Sequence, residues 1–224
     1  MTPSKTAFVE LCIACEALRF GEFTLKSGRV SPYFFDAGRF HHGRALRELA
    51  RHYAGVVAAR VAPPFILYGP AYKGIPLAAA TALALADDHA VDAGYAFNRK
   101  EAKRHGEGGD LVGAPLGGRV VIIDDVITAG TSIGESVAAI QSAGATPHAV
   151  VIALDRCETA GAQGLSAAQQ VRRKFGIPVY AIIDLHDLVD YLEGGAAAGT
   201  VGAPGSRNQF AAAIKTYRDQ YGAE

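Results

Sequence analysis

The sequence lacks the features that mark disulfide-stabilised, secreted or membrane-spanning proteins. Only three of its 224 residues are cysteine, and an odd number argues against a disulfide framework. Cys12 and Cys15 have Cys-x-x-Cys spacing, which we interpret as two apolar residues on the buried stripe of a helix. No apolar run approaches the length of a membrane span, and residues 1–5 contain no hydrophobic signal core. We therefore expect a cytoplasmic protein without membrane association.

The sequence also lacks any surplus of charge. The 22 basic residues equal the 22 acidic ones, so the formal net charge is zero. Dedicated nucleic-acid binders usually carry a strongly basic domain, so we expect no nucleic-acid partner. Half of the residues are hydrophobic, which at this length is typical of one large domain with a sizeable core.

The most informative stretch begins with a run of β-branched apolar residues, 120–123. Such a run predicts a strand that is buried on both faces of a parallel sheet. Two carboxylates follow at once, Asp124 and Asp125, and then a turn of small residues. Ser132 with Glu135 three residues later fits a capping box, which predicts a helix start there. This strand-turn-helix arrangement is where α/β sheets bind ligands.

The chemistry of this stretch divides between an anion site and a pair of acids. A helix N-terminus offers free N–H groups, and the hydroxyls of Thr128, Thr131 and Ser132 add donors, which suits a phosphate. Asp124 and Asp125 would repel that phosphate, so they are better suited to neutral hydroxyl groups or a metal. A phosphate beside a diol describes a ribose phosphate. The alternative is an ordinary strand-to-helix turn with an aspartate as its cap.

Further apolar strands are predicted near residues 65, 93, 149 and 179, mostly separated by helices. This alternation predicts an α/β fold with a central, mostly parallel sheet flanked by helices. We expect a single domain over 1–224, with a core of about 41–184 and a smaller hood formed by 1–40 plus 185–224. Helices are predicted at 4–19, 43–59, 75–86, 166–175, from the cap Asp184 to 192, and 206–221.

Two aromatic residues in a predicted hairpin are candidates for binding a flat ring. The hairpin spans residues 23–36 and turns at Ser27 and Gly28. Phe34 and Phe35 are adjacent, so their side chains point to opposite faces of a strand. One ring is thus free for a heterocycle, although on its own the hairpin is better explained by plain core packing.

Two cationic side chains follow other predicted strands. Lys73 lies in the turn 69–74 between a strand and a helix, where backbone N–H groups plus an ammonium group suit a second anion. The alternative is a solvated lysine. Arg156 lies at a strand's carboxyl end, where it suits a ligand carboxylate. Its alternative is a local ion pair with Asp155 or Glu158.

A basic, glycine-rich segment lies between two predicted strands. Six glycines occur between residues 106 and 118, so we interpret 99–118 as a mobile loop. We expect a lid that closes over a polyanion, while a solvated surface is the alternative. Its cationic or potentially cationic residues are Arg99, Lys100, Lys103, Arg104 and His105.

The central stretch resembles the phosphoribosyl pyrophosphate (PRPP) motif of type I phosphoribosyltransferases. Segments 23–35, 68–76, 98–108 and 120–132 together resemble, in order and spacing, the orotate phosphoribosyltransferases of bacteria. The resemblance covers nearly the whole chain. It implies transfer of phosphoribose from PRPP to orotate, with Mg²⁺ bound through PRPP. It also implies a homodimer in which the loop of one subunit completes its neighbour's site.

The resemblance also implies roles for particular residues. The catalytic residues would be Lys103, His105, Asp124 and Asp125. Orotate would contact Lys26, Phe34, Phe35, Thr128 and Arg156. PRPP would contact Lys26, Tyr72, Lys73, Arg99, Lys100, Lys103, His105, Asp124, Asp125, Val126, Ile127, Thr128, Ala129, Gly130, Thr131 and Ser132.

Two other functions stay open from the sequence. One is a phosphoribosyltransferase for another base, such as a purine. The other is a PRPP-sensing regulator without catalysis, which should lack the basic loop or carry a nucleic-acid surface.

Overall fold

The computed structural model describes residues 1–25, 27–99, 110–128, 130–160, 164–194 and 206–223. Helices and strands alternate along most of this length. The helices are α1 (Pro3–Ala14), α2 (Gly43–Arg60), α3 (Gly74–His89), α4 (Thr131–Ser142), α5 (Ala167–Phe175), α6 (Leu185–Glu193) and α7 (Ser206–Tyr221). The strands are β1 (Leu18–Thr24), β2 (Val30–Phe35), β3 (Ile66–Tyr68), β4 (Tyr95–Asn98), β5 (Leu111–Gly113), β6 (Arg119–Asp124), β7 (Thr146–Asp155) and β8 (Val179–Asp184).

Strands β5-β4-β3-β6-β7-β8 form, in that order, the central sheet of the described chain. Neighbours are parallel except β4 and β5, which are antiparallel. Tyr68 at the end of β3 pairs with Ile122 of β6, and Asp124 at the end of β6 pairs with Ile152 of β7. The carboxyl ends of these strands therefore meet at one edge of the sheet, and the predicted α/β fold is confirmed.

Strand β6 is buried on both faces, as its β-branched run predicts. Residues 120–123 are all fully buried. Val121 and Ile123 belong to the larger core cluster, with side chains of α1, α2, α3 and α6. Val120 and Ile122 face the other cluster, against α4 and α5. The sheet is thus sandwiched between two helical layers, and β6 holds the acids that follow it on a rigid support.

The hairpin and the C-terminal helix pack together. β1 and β2 are antiparallel, as predicted for this segment. The rings of Phe20 and Phe210 stack with centroids 5.5 Å apart, and those of Tyr33 and Tyr217 meet edge to face at 6.5 Å. The predicted division of the chain into a core and a hood stays a prediction.

The predicted first helix is too long. It ends at Ala14 rather than residue 19, because Glu16 takes the left-handed conformation with φ 53°. Leu18 then begins β1 instead of continuing the helical stripe. Cys12 is buried and Cys15 partly so, both as free thiols. Burial raises the pKa of both thiols, which fits their interpretation as apolar residues.

The predicted loop 99–118 contains a strand that the sequence did not reveal. Residues 111–113 form β5 against β4. Gly113 has φ 104°, and a Cβ there would lie 2.3 Å from the carbonyl oxygen of Tyr95, so only glycine fits. Three residues are too few to show a strand periodicity.

Among the described residues, none of the helices is long and apolar enough to cross a membrane.

Candidate active site

The candidate site lies where the loops after β3 and β6 meet. Nζ of Lys73, in the loop after β3, is 2.8 Å from Oδ2 of Asp125, which follows β6. The same Nζ is 3.9 Å from Oδ1 of Asp36, which follows β2. The structure thus brings together the predicted anion-binding lysine, the predicted acid pair and the end of the hairpin.

The two acids are buried, with Asp124 8% and Asp125 6% exposed. Oδ1 of Asp124 accepts a hydrogen bond from the backbone N–H of Asp125 at 2.9 Å, and Oδ2 accepts one from the Ser132 hydroxyl at 3.3 Å. Oδ1 of Asp125 accepts one from the backbone N–H of Val126 at 2.9 Å. The buried Tyr53 hydroxyl donates to the carbonyl oxygen of Asp124 at 2.8 Å and so fixes the backbone between the acids.

Asp124 and Asp125 differ in their environments. Burial, followed by repulsion from Asp125, raises the pKa of Asp124 to about 7. Asp125 instead has the Lys73 ammonium as its partner. Burial alone would lower the pKa of Lys73, but the hydrogen bond and charge attraction to Asp125 outweigh it and the pKa is raised. Lys73 is therefore a cation at neutral pH, while Asp124 gains or loses its proton there.

The loop after β3 is closely packed. A Cβ on Gly69 would lie 2.0 Å from the carbonyl oxygen of Gly74, and one on Gly74 would lie 2.5 Å from Cδ of Pro70. The side-chain oxygen of Asn98, at the end of β4, accepts a hydrogen bond from the N–H of Ala71 at 2.9 Å. Tyr72 is 67% exposed at the tip of this loop. The packing leaves no space for a side chain at Gly69 or Gly74, next to the turn that carries Tyr72 and Lys73.

The loop after β6 forms a helix start that is open to a ligand. Helix α4 begins at Thr131 with Gly130 as its N-cap, in the left-handed conformation with φ 70°. Among the described residues no side chain caps this end, so the predicted capping box of Ser132 and Glu135 is wrong. The Ser132 hydroxyl donates to the buried Asp124 carboxylate instead. Thr128, Thr131 and Ser132 are exposed, which leaves the helix N-terminus free for an anion.

Arg156 forms the ion pair that the sequence left open as an alternative. Its Nη2 is 2.5 Å from Oε1 of Glu158 and donates to the Ser31 hydroxyl at 3.3 Å. Its Cζ lies 4.5 Å above the Tyr33 ring. The other candidate partner, Asp155, accepts from the backbone N–H two residues later. Arg156 is thus held beside strand β2, and its role towards a carboxylate stays a prediction.

The two phenylalanines point to opposite faces of β2, as predicted. Phe35 is 8% exposed and belongs to the larger core cluster. Phe34 is partly exposed, with its ring 5.6 Å from that of Phe23 and 5.5 Å from Cζ of Arg19. The ring accessible to a ligand is therefore that of Phe34, and ligand contact by either residue stays a prediction.

Several predicted site residues cannot be placed. Arg99 is described, and its backbone N–H donates to the carbonyl of Asp110 at 2.7 Å, so the two ends of the basic segment are adjacent. The predicted site residues that lie outside the described residues are Lys26, Lys100, Lys103, His105 and Ala129.

Sequence reasoning missed three residues that shape the site. Asp36 ends a predicted hairpin, and its position after an apolar strand was the signal that could have found it. Asn98 opens the basic segment and was overlooked among its charges. Tyr53 lies on the buried face of α2, where a hydroxyl directed at a backbone carbonyl has no sequence signal.

Comparison with known proteins identifies the family of the chain. The family model described as the phosphoribosyl transferase domain matches residues 40–178. Orotate phosphoribosyltransferase of Cellvibrio japonicus is 54% identical over 224 residues, covering 100% of both chains. That of Methylococcus capsulatus is 54% identical over 215 residues, covering 96% of each. The chain belongs to the orotate phosphoribosyltransferase family.

A solved structure of the family shares the fold. The crystal structure of orotate phosphoribosyltransferase from Francisella tularensis matches with a TM-score of 0.83 and 39% identity, over 96% of this chain and 99% of that one. Membership of the orotate phosphoribosyltransferase family confirms the resemblance drawn from the four sequence segments.

Proposed function

We propose that the chain transfers the 5-phosphoribosyl group of PRPP to orotate, giving orotidine 5′-monophosphate and pyrophosphate in pyrimidine nucleotide synthesis. The observation that supports the proposal is the buried acid pair between the Lys73 ammonium and the start of α4. Lys73 lies on one side of it, 2.8 Å from Asp125. The uncapped start of α4 lies on the other, linked to Asp124 through Ser132. This arrangement suits a ribose with a phosphate at each end.

In this proposal each part of PRPP meets a different element. The 5′-phosphate binds the start of α4 through hydroxyl and backbone donors. The ribose hydroxyls donate to Asp124 and Asp125. The pyrophosphate binds the loop after β3 and the basic segment, through Tyr72, Lys73, Arg99, Lys100, Lys103, His105 and Lys26. The 5′-phosphate donors come from Val126, Ile127, Thr128, Ala129, Gly130, Thr131 and Ser132.

Lys73 changes partner in the proposed reaction. Without substrate its ammonium offsets the charge of Asp125. The pyrophosphate attracts Lys73 away, because two phosphates carry more negative charge than one carboxylate. The acid pair then stands uncompensated beneath the ribose, where its negative field stabilises an oxocarbenium-like transition state. This effect needs ionised Asp124, so catalysis strengthens as pH rises through about 7, the pKa of that carboxyl.

Magnesium enters the proposed reaction as part of the substrate. Among the described residues no group of three or more acidic, histidine or cysteine side chains could hold a metal ion. The acids of the site already accept from Ser132 and Lys73. We propose that Mg²⁺ arrives with PRPP, held by its oxygens, and reduces the charge of the leaving pyrophosphate.

Orotate is proposed to bind between the hairpin and the start of α4. Phe34 contacts its ring, Thr128 and Lys26 contact its polar atoms, and Arg156 binds its carboxylate. Exclusion of water falls to the basic segment of a second subunit, with Lys103 and His105 as the catalytic side chains beside the leaving group. The homodimer is part of this proposal.

Product analysis tests the proposed function. The purified protein is incubated with PRPP, Mg²⁺ and orotate, and the products are separated by ion-exchange chromatography. We expect orotidine 5′-monophosphate and pyrophosphate in equal amounts, and neither product when PRPP or orotate is omitted. Binding of PRPP without its consumption would instead favour a PRPP-sensing regulator.

A further inference from the structure

Glu158 lies at the centre of a charged cluster where the loop after β7, the hairpin and helix α7 meet. Its Oε1 is 2.5 Å from Nη2 of Arg156 and accepts a hydrogen bond from the Tyr33 hydroxyl at 3.3 Å. Its Oε2 is 3.7 Å from Nη1 of Arg29. The side chains of Glu158 and Arg156 are 12% and 13% exposed. A carboxylate this enclosed and shared between two guanidinium groups is firmly placed.

The end of α7 clamps the backbone on both sides of Glu158. The N–H and hydroxyl of Thr159 both donate to the carbonyl oxygen of Tyr221, at 2.8 and 3.0 Å. The N–H of Ala223 donates to the carbonyl oxygen of Cys157 at 2.8 Å. The position of Glu158 therefore depends on the last turn of α7.

The same turn also holds the second arginine of the cluster. Cζ of Arg29 lies 4.7 Å above the ring of Tyr221. The Tyr221 ring and Glu158 thus fix Arg29 from two sides, so the hairpin and the loop after β7 share one support.

We infer that Glu158 is a positioning residue for Arg156, and that the last turn of α7 holds Glu158 in place. This rests on the proposed function, in which Arg156 binds the orotate carboxylate. The ion pair to Glu158 and the hydrogen bond to Ser31 both come from Nη2 of Arg156, and the inference assigns Nη1 and Nε to the ligand. Arg29, Arg156 and Glu158 together carry one net positive charge, which matches one carboxylate.

The direction of the effect follows from conformational freedom. An arginine side chain has many rotamers and loses their entropy when it is fixed. Glu158 fixes Arg156 before orotate arrives, so that cost does not fall on binding. Removal of Glu158 should therefore raise the KM for orotate. If Glu158 only competed with orotate for the guanidinium group, its removal would lower that KM.

Two substitutions at Glu158 test the inference. Glu158→Ala should raise the KM for orotate about tenfold, a change of about 1.4 kcal/mol, because the rotamer entropy of Arg156 is then lost on binding. Glu158→Gln should raise it less, because the amide oxygen still accepts from Arg156 and Tyr33. The KM for PRPP should change less than about twofold in both. Steady-state kinetics with each substrate varied in turn, and calorimetry of orotidine 5′-monophosphate binding, measure the effects.

Glu48 offers a matched control for Glu158. It also pairs with two arginines, Arg47 and Arg51, but on the exposed face of α2. Glu48→Ala and Glu48→Gln make the same chemical changes and should leave both KM values unchanged.

A second pair of variants tests the role of α7. Tyr221→Ala removes the ring beneath Arg29 and should raise the KM for orotate. Tyr221→Phe keeps the ring and should have the KM of the wild-type protein. Asp219→Ala, at a side chain 70% exposed on the same helix, should have no effect.

The outcomes separate this inference from the proposed function. A lower KM for orotate in the Glu158 variants, an equal rise for both substrates, or no change would overturn the inference while the wild-type activity stands. If Glu158→Ala does not fold, Glu158→Gln and the Tyr221 pair decide. Failure of the wild-type protein to use orotate would overturn the proposed function itself.

Discussion

At the scale of single residues, the adjacent acids show how position separates two identical side chains. Asp124 ends the strand and accepts from a hydroxyl and a backbone N–H. Asp125 is one residue further and reaches the Lys73 ammonium. Burial and repulsion from Asp125 raise the pKa of Asp124, while the Lys73 ammonium is hydrogen-bonded to Asp125. The sequence predicted two acids with a shared role, but not this division.

The raised pKa of Asp124 predicts how stability depends on pH. The folded protein holds this proton up to a pKa of about 7, whereas the unfolded chain releases it near 3.8. Between those values the folded state binds more protons, so the free energy of unfolding falls as pH rises. Asp124→Asn removes this loss, so above pH 7 it should be more stable than the wild-type protein by up to about 4 kcal/mol. Urea unfolding of the substrate-free protein at pH 5 and pH 8 measures the difference.

A control for that measurement is Asp219→Asn, at an exposed carboxylate on α7. It should leave the pH dependence of the wild-type protein unchanged. Equal loss of stability from pH 5 to pH 8 in Asp124→Asn and wild type would show that Asp124 does not carry the proton.

Substitution of Arg156 tests which of the two substrates this residue binds. Arg156→Ala should raise the KM for orotate about ten- to a hundredfold, because a charge-assisted hydrogen bond is worth about 1.5–3 kcal/mol. The KM for PRPP should change much less, and Arg51→Ala on the surface of α2 should affect neither. Initial rates with each substrate varied in turn give the comparison. Equal effects of Arg156→Ala on both KM values would remove Arg156 from the orotate site.

At the scale of elements, strong local patterns were predictable and short or distant contacts were not. The strand predicted from the β-branched run 120–123 is present. Asp184 caps the start of α6, as predicted. The end of α1 was missed because a left-handed Glu16 interrupts an otherwise apolar helix pattern. Ser132 was misassigned as a cap because its true partner, Asp124, is eight residues earlier.

The close packing of the loop after β3 predicts the effect of a single methyl group. In Gly69→Ala the new Cβ would lie 2.0 Å from the carbonyl oxygen of Gly74, so the loop must shift and Lys73 with it. We expect a destabilisation of about 1–3 kcal/mol together with a clearly higher KM for PRPP. Thermal unfolding and steady-state kinetics measure the two effects.

Gly55→Ala is the matched control for Gly69→Ala. A Cβ on Gly55 of α2 meets no heavy atom of the structure within 4 Å, and alanine favours helix, so stability should rise by about 0.5–1 kcal/mol. A Gly69→Ala protein with normal stability and an unchanged KM for PRPP would show that the loop adapts easily.

At the scale of the whole molecule, the site follows from topology more than from local sequence. Lys73 and Asp125 are 52 residues apart, and they meet because β3 and β6 are parallel neighbours. An alternating α/β pattern predicts such a meeting at the carboxyl edge. It does not predict which helix side chains reach that edge, so the approach of Tyr53 to Asp124 could not be foreseen.

The proposed sharing of sites between subunits predicts complementation. Lys103→Ala should lose turnover while it still binds PRPP, and Asp125→Asn should lose turnover through the ribose site. When the two variants are dissociated, mixed and allowed to reassociate, half of the randomly paired dimers contain one subunit of each kind. One of the two sites in such a dimer is intact. Activity should recover to about a quarter of the wild-type value. Absence of recovery, with mixed dimers shown by mass spectrometry, would contradict a shared site.

An absorbance assay of base consumption with PRPP and Mg²⁺ tests the proposed reaction most directly. Orotate, uracil, adenine and guanine are offered separately to the wild-type protein, with Arg156→Ala in parallel. We expect rapid loss of orotate, no comparable loss of the other bases, and a much slower reaction with Arg156→Ala at low orotate concentration. Consumption of another base in preference to orotate would contradict the proposed reaction.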